Sequence, residues 1–425
     1  MFGLGRSQRF PAFRAQLYDK ALRILLEEWA ADKGIMQGDI YDGLSTELEE
    51  VLLAEIACTH FVKDQLFFTR RELVDAIKTF LANTLDAPQH LDGEKVLDTI
   101  TIQQGIFVER AEDAYTFSHL TLQEYLTAQY IVDHQQIQQL VTNHLFDQRW
   151  REVFLLVSGL MRGSVEILLA EIEKAAREKI NTQKLRGLIF WAEQITKDSA
   201  GMYKSAAKRT IAIHIALNRK LNLNPIQTYD LNLNQTLIFA INLSCSIDSN
   251  LDKDLNLFKA LKRSNGSIMK LDRNVDCAID IVRTSGEEQR SKELDSLLSI
   301  DYEEALNIHV NRALELQIVL EKLKIFRSLE FTDFIKKLQA LESNLPRQDQ
   351  PVKIRVDFIE TIIGIWCKTF QLDPDYWIFS QSEQSALGSY FYANELMVKC
   401  KESAVRVSPR IWKELEAQMV TVKEV

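Results

Sequence analysis

Tyr115-Thr116-Phe117-Ser118-His119-Leu120-Thr121-Leu122-Gln123-Glu124-Tyr125-Leu126-Thr127-Ala128-Gln129-Tyr130-Ile131 passes from one backbone period to another within a few residues. Tyr115 to Phe117 has strand character. A helix then starts around Ser118 to Thr121, where Thr121 and Glu124 have the spacing of a capping box. Leu122, Tyr125, Leu126 and Gln129 share one face of that helix, and the first three read as core. Gln123 and Glu124 read as a solvated face. A helix N-terminus carries unpaired N–H groups and the positive end of the dipole, so it suits an anion. His119 sits at that end with an imidazole that can donate a hydrogen bond. A histidine that caps its own helix or packs in the core is the competing reading of His119.

Upstream, Gly105 separates a helix at Glu94 to Gln103 from a strand at Ile106 to Arg110, which turns at Ala111 to Ala114. Thr69 with Glu72 three residues later marks the start of a helix over Thr69 to Leu81. Thr46 with Glu49 marks another over Thr46 to Thr59, and Gln65 to Phe68 is a short strand-like piece between the two. Three helices followed by a small β-hairpin is the order of a winged helix, which spans 44–135. Before it, Leu17, Tyr18, Ala21, Leu22, Leu25, Leu26 and Trp29 recur at helical spacing across Pro11 to Ala31.

Downstream, Trp150 to Met161 is apolar but too short to span a membrane, and reads as the start of a buried helix over 150–177. Further helices are expected near 183–198, 201–220, 229–245, 253–264, 301–327, 330–343, 354–371, 384–403 and 407–420. Leu-Asn alternation at 221–224 and 231–234, echoed at Leu255-Asn256-Leu257, has strand period inside a helical context and is assigned to helix. Asn344 to Pro351, with two prolines, is the best linker. It divides a helical domain, 136–345, from a C-terminal helical domain, 346–425. The fold class is mainly α: a winged helix with a β-hairpin wing, then an extended, solenoid-like helical region.

Composition agrees with that class. Only 7 prolines and 15 glycines punctuate 425 residues, which favours helices over a turn-rich β architecture. A net charge of −9 without a dense Lys/Arg run argues against a dedicated nucleic-acid binder. Five scattered cysteines without a C-x-x-C pair suit a reducing compartment. Cys58 and His60 read as a buried thiol beside a surface imidazole, since two candidate ligands do not make a zinc site. Met1 to Arg9 lacks the apolar core of a signal peptide, so a cytoplasmic location is expected.

The segment Tyr115 to Ile131 is similar to the F-x-H-L-T-F-Q-E-Y-L-A-A-x-Y-I signature that closes the winged helix of NACHT ATPases, the STAND or NOD-like-receptor-like signalling NTPases. Gln104 to Arg110 resembles the G-L-L-V-E-R strand that precedes the wing. Arg14 to Trp29 looks like the helix that follows the family's ATPase core, which makes 1–43 a helical segment after that core. Trp150 to Leu160 looks like the start of the helical region behind the winged helix. Tyr376 to Ser380, Glu383-Gln384 and Tyr390 to Asn394 resemble the C-terminal helical domain of cyanobacterial NACHT proteins. The resemblance implies that His119 contacts a phosphate of bound nucleotide, the β-phosphate of ADP, and holds the winged helix against the nucleotide domain.

The motor itself is missing from the sequence. The chain contains no G-x-x-x-x-G-K-[ST] loop to cradle phosphates, and no H-E-x-x-H, G-x-S-x-G or reactive Cys–His pairing. Glu303-Glu304 reads as a solvated helical face, and Asp373 to Tyr376 as an ordinary turn. No catalytic residue and no metal ligand is assigned, and the chain is not expected to be an enzyme by itself. ADP or ATP enters only when a P-loop NACHT domain is supplied by another chain or by a preceding segment. The expected role is the regulatory and sensing part of a NACHT-type signalling protein, in bacterial defence or signal transduction, with an unidentified protein ligand for the helical tail and no membrane partner. The alternatives are a helical interaction scaffold, a truncated fragment without function and, as the weakest, a DNA-binding winged helix. In the last, the helix from Gly93 to Gln103 carries Glu94, Lys95 and Asp98 but no arginine to approach phosphate.

Overall fold

The computed structural model describes residues 14–28, 44–84, 92–217, 231–254, 379–422 and, with short breaks, 321–373. The chain divides into two compact units: Met1–Ile172 with Lys399–Ile411, and Glu173–Val398 with Trp412–Val425.

The first unit opens with α1, Arg14–Arg23, which runs on into a π turn at Ile24–Glu28. The winged helix follows as α2, Thr46–Val62, α3, Arg70–Asn83, and α4, Gly93–Asp98, which widens into a π turn at Thr99–Gln104. Gly105 ends that turn at φ 67°, a left-handed conformation that glycine adopts at no steric cost. Strands β1, Phe107–Ala111, and β2, Ala114–Phe117, pair antiparallel with Phe107 opposite Phe117, and a register shift between Glu109 and Ala111 precedes the turn. Phe68 adds a single bridge to Tyr115, so the expected strand over Gln65 to Phe68 is reduced to one pair. The rings of Phe68, Phe107 and Phe117 close over one another at 4.7–6.1 Å and fix the hairpin to the core.

Next come α5, Leu120–Asp133, α6, Ile137–His144, and α7, Arg151–Leu160. α5 is the central helix of this unit. It packs on α1, α2 and α7, and its first turns meet β2. α8, Val165–Arg177, begins after a break at Met161 to Ser164, so the single helix expected over 150–177 is two. Gly163 lies in that break, where a residue of low helix propensity meets no compensating packing.

The second unit contains α9, Gln183–Thr196, α10, Ser205–Leu217, α11, Leu231–Ile247, α12, Phe331–Glu342, α13, Val352–Phe370, and all but the last turn of α14, Gln381–Ser403. A last helix, α15, Pro409–Gln418, follows. The Leu-Asn repeat at 231–234 is helical, in the first turn of α11. Its copies at 221–224 and 255–257, the helix expected at 253–264 beyond Asp254, most of 301–327, and Glu303-Glu304 lie outside the described residues. Trp366 stacks on Phe370 at 5.3 Å, with Phe334 edge-on to Trp366 at 4.8 Å, and Trp191 Nε1 donates to the Phe370 carbonyl at 2.8 Å. That cluster ties α9, α12 and α13 together. None of the described helices is long and apolar enough to cross a membrane.

Candidate functional site

The start of α5 is built by its neighbours on either side. β2 delivers the chain to Ser118, whose N–H donates to the Ile106 carbonyl at 2.8 Å. His119 then stands at the N-cap with extended backbone, φ −135° and ψ 135°. The imidazole is exposed, and its side chain makes no capping hydrogen bond. Leu120 beside it is 50% exposed, and Thr121 is open as well. Arg110 reaches back from β1, its guanidinium 3.4 Å from both the Thr116 hydroxyl and the Ser118 carbonyl. The Leu122 N–H donates to the His119 carbonyl at 3.0 Å, and ahead of it Leu120 and Thr121, the first two residues of a 14-residue helix, lie exposed beside an exposed imidazole.

Thr121 lies inside the helix rather than at its cap, so the capping box read from Thr121 and Glu124 does not form. The cap also lies upstream of the expected residue at α2, there by one position. There Ser45, not Thr46, is the N-cap and accepts from the Leu48 N–H at 3.3 Å, and Glu49 is buried instead of reaching back. The box at α3 is real: Glu72 accepts from the Thr69 N–H at 2.7 Å while the Thr69 hydroxyl accepts from the Glu72 N–H at 3.2 Å.

Below its first turn α5 is locked. Leu122, Tyr125 and Leu126 are core, as their spacing implies. Gln123 is only 2% exposed, contrary to the solvated face expected of it, and donates to the Gln65 carbonyl at 3.4 Å. Gln129 donates to Glu50 at 2.6 Å, and Tyr125 lies 6.1 Å from the ring of Tyr18 on α1. Glu124 is half-buried; burial first, and the nearby charge of Glu152 second, push its carboxyl up to about 7. Glu152 is itself held by Arg14 of α1, 3.0 Å away.

Two buried polar groups escaped the sequence reading. Glu49, on the face of α2 that carries Leu52, Leu53 and Ile56, is pushed up to about 7 by burial, with a hydrogen bond from Gln104 opposing the shift. The signal was present, because Glu49, Leu52, Leu53 and Ile56 fall at i, i+3, i+4 and i+7. His60 is buried, not at the surface: Nδ1 meets Gln65 Oε1 at 2.9 Å and the ring lies 4.6 Å from Phe68. Cys58 next to it is buried too, which raises its thiol to about 11. Among the described residues no group of three metal-ligating side chains forms.

The helix that would read DNA in a nucleic-acid-binding winged helix has its acidic residues engaged. Arg70 pairs with Glu94 at 2.8 Å and with Asp98 at 2.7 Å, and donates to the Tyr115 hydroxyl at 3.2 Å. The cation at this corner thus serves as an internal strut between α3, α4 and the hairpin.

Comparison with known proteins identifies both ends of the chain. Residues 14–131 match the model of the winged helix-turn-helix domain C-terminal to NACHT. Residues 334–422 match that of the NACHT C-terminal helical domain 2. No curated protein and no solved structure matches the chain. Both models describe domains that lie C-terminal to NACHT, which implies a NACHT domain as partner in the same protein or complex.

Proposed function

We propose that this chain, which carries the winged helix and the second helical domain that follow NACHT, is the regulatory and sensing part of a NACHT-type signalling NTPase. In this reading the winged helix closes on the nucleotide domain through the start of α5. His119 donates to a phosphate of bound ADP, and the open N–H groups of Leu120 and Thr121 add the positive end of the helix dipole. The helical unit beyond takes the signal, and its ligand biases the balance between closed and open states. The observation that carries the reading is an exposed imidazole with no capping hydrogen bond, at the open end of a helix whose remaining length is locked in the core.

The test is co-expression of the chain with the NACHT domain that accompanies it. The two are expected to copurify more tightly with ADP than with an ATP analogue, because closure uses the diphosphate. Failure of the chain to hold any P-loop protein under either condition contradicts the proposal.

A further inference from the structure

α2 ends in a short loop whose backbone is fixed almost residue by residue. Asp64 takes φ 56° and its carboxylate meets Arg149 at 2.5 Å, while the same guanidinium donates to the Phe61 carbonyl at 3.1 Å. Gln65 is the hub of the loop. Its N–H donates to the His60 carbonyl at 3.0 Å, and its amide oxygen meets His60 Nδ1 at 2.9 Å. Its amide nitrogen donates to Glu72 at 3.1 Å, and its carbonyl accepts from Gln123 at 3.4 Å. Phe68 then exchanges two backbone hydrogen bonds with Tyr115, each 2.8 Å long. Between these anchors stand Leu66 and Phe67. Both are exposed, Phe67 by 60%.

Exposed apolar side chains scattered singly are ordinary on a protein surface. These are not scattered. Val62, the last residue of α2, is exposed on the same segment. Gln123, which holds the Gln65 carbonyl, stands three residues after Leu120, so the two share one face of α5. The exposed Leu120 therefore lies on the side of the helix that meets the loop. One edge of the winged helix thus holds four large apolar side chains in the open, next to His119, on a backbone with little freedom left to lose. A surface organised in advance binds at a lower ordering cost than a mobile one.

We propose that Val62, Leu66, Phe67 and Leu120 form a docking face for the NACHT domain, an adhesive surface that works whatever nucleotide that domain holds. The occupant follows from position. Leu120 is bonded to His119, and Gln123 links the same helix start to Leu66 through the Gln65 carbonyl. A body that brings a phosphate to the His119 imidazole covers this face at the same time, and the matching winged-helix model implies that body to be a NACHT domain. The inference rests on the proposed contact of His119 with phosphate and adds a second component to it. The imidazole reads the phosphate, and the apolar face supplies affinity that does not depend on nucleotide. That affinity sets how far the loss of ADP can shift the closed state.

Hydroxyl-radical footprinting of the assembled protein, NACHT domain included, against this chain alone tests the docking face. Oxidation of Phe67 and Leu66 is expected to fall several-fold on assembly, with ADP bound and after its removal. The ring of Phe190 on α9, 55% exposed, is expected to keep its rate. Phe67→Ser is expected to weaken the hold of the chain on a co-expressed NACHT domain about tenfold in either nucleotide state, the worth of one buried phenylalanine, without lowering the stability of the free chain. His119→Ala is expected to weaken it only with ADP. Equal oxidation of Phe67 in the chain and the assembly overturns the docking face. So does a silent Phe67→Ser beside an ADP-dependent loss in His119→Ala, which leaves the phosphate contact standing. A chain that holds no NACHT domain overturns both. Protection of Phe67 in the concentrated chain alone assigns the face to a second copy and overturns the NACHT domain as its occupant.

Discussion

Two helices of the winged helix are 14 residues long and begin differently. α3 starts with Thr69 and Glu72 satisfying each other's backbone, and Arg70 ties its first residue to α4 and the hairpin. α5 starts with His119, which caps nothing, and then buries Leu122, Gln123, Tyr125 to Ala128 and Ile131. The first helix spends its N-terminal donors inside the domain. The second leaves its first two residues, Leu120 and Thr121, exposed while the turns behind them are fixed. An open helix end on a rigid body is what a phosphate latch requires.

Four substitutions probe this contrast, from the largest expected effect to the smallest. Leu126→Ala attacks the body of α5, where the side chain is fully buried. It is expected to destabilise the chain by ~2–5 kcal/mol in denaturant unfolding. A loss under ~1 kcal/mol would mean that α5 is not the rigid element assumed here.

Glu49→Gln acts on the helix against which α5 rests. The Glu49 carboxyl is raised to about 7 in the folded chain from an ordinary 4.5, so the folded state binds more protons between those values. Stability therefore falls as pH rises through that window, and the penalty is complete above about pH 7. The glutamine variant should flatten this slope and gain on the order of 3 kcal/mol at most at pH 8. Parallel pH–stability curves for the two proteins would refute the buried-carboxyl assignment.

Thr69→Ala removes a working cap and should cost ~1 kcal/mol, read as a lower melting temperature. His119→Asp provides α5 with the cap it lacks. It should stabilise the isolated chain by ~0.5–1 kcal/mol while placing a negative charge where the phosphate is expected. A destabilised His119→Asp chain would show that the imidazole already supports the fold, and would remove the difference between the two helix starts.

Much of this was legible in the sequence because local signals and tertiary packing agree. Thr69-x-x-Glu72 forms the box its spacing implies, and Leu122, Tyr125 and Leu126 are core as their periodicity implies. The misreadings arise where a spacing has two physical uses. Thr121 and Glu124 stand three apart, but the hairpin hands over the chain at Ser118 and the helix begins before Thr121 can cap it. Glu49 stands three beyond Thr46, but its face is the buried one, so tertiary packing claims the side chain. Gln123 and His60 are polar residues that find partners inside, the Gln65 carbonyl and the Gln65 side chain, which no local pattern announces. The open end of α5 was legible in outline, since His119 was placed at the helix start from sequence. The contact of Arg209 with the Ala417 and Met419 carbonyls was not, because it joins residues about two hundred positions apart through backbone carbonyls, which carry no sequence signal.

The most direct test is the rate of ADP release from the assembled protein, NACHT domain included, with His119 and with alanine in its place. The account predicts release at least ~tenfold faster for His119→Ala, the worth of a charge-assisted hydrogen bond to phosphate. It also predicts an unfolding free energy within ~0.5 kcal/mol of the parent, because His119 caps nothing. Unchanged ADP release from a normally folded His119→Ala protein would contradict it.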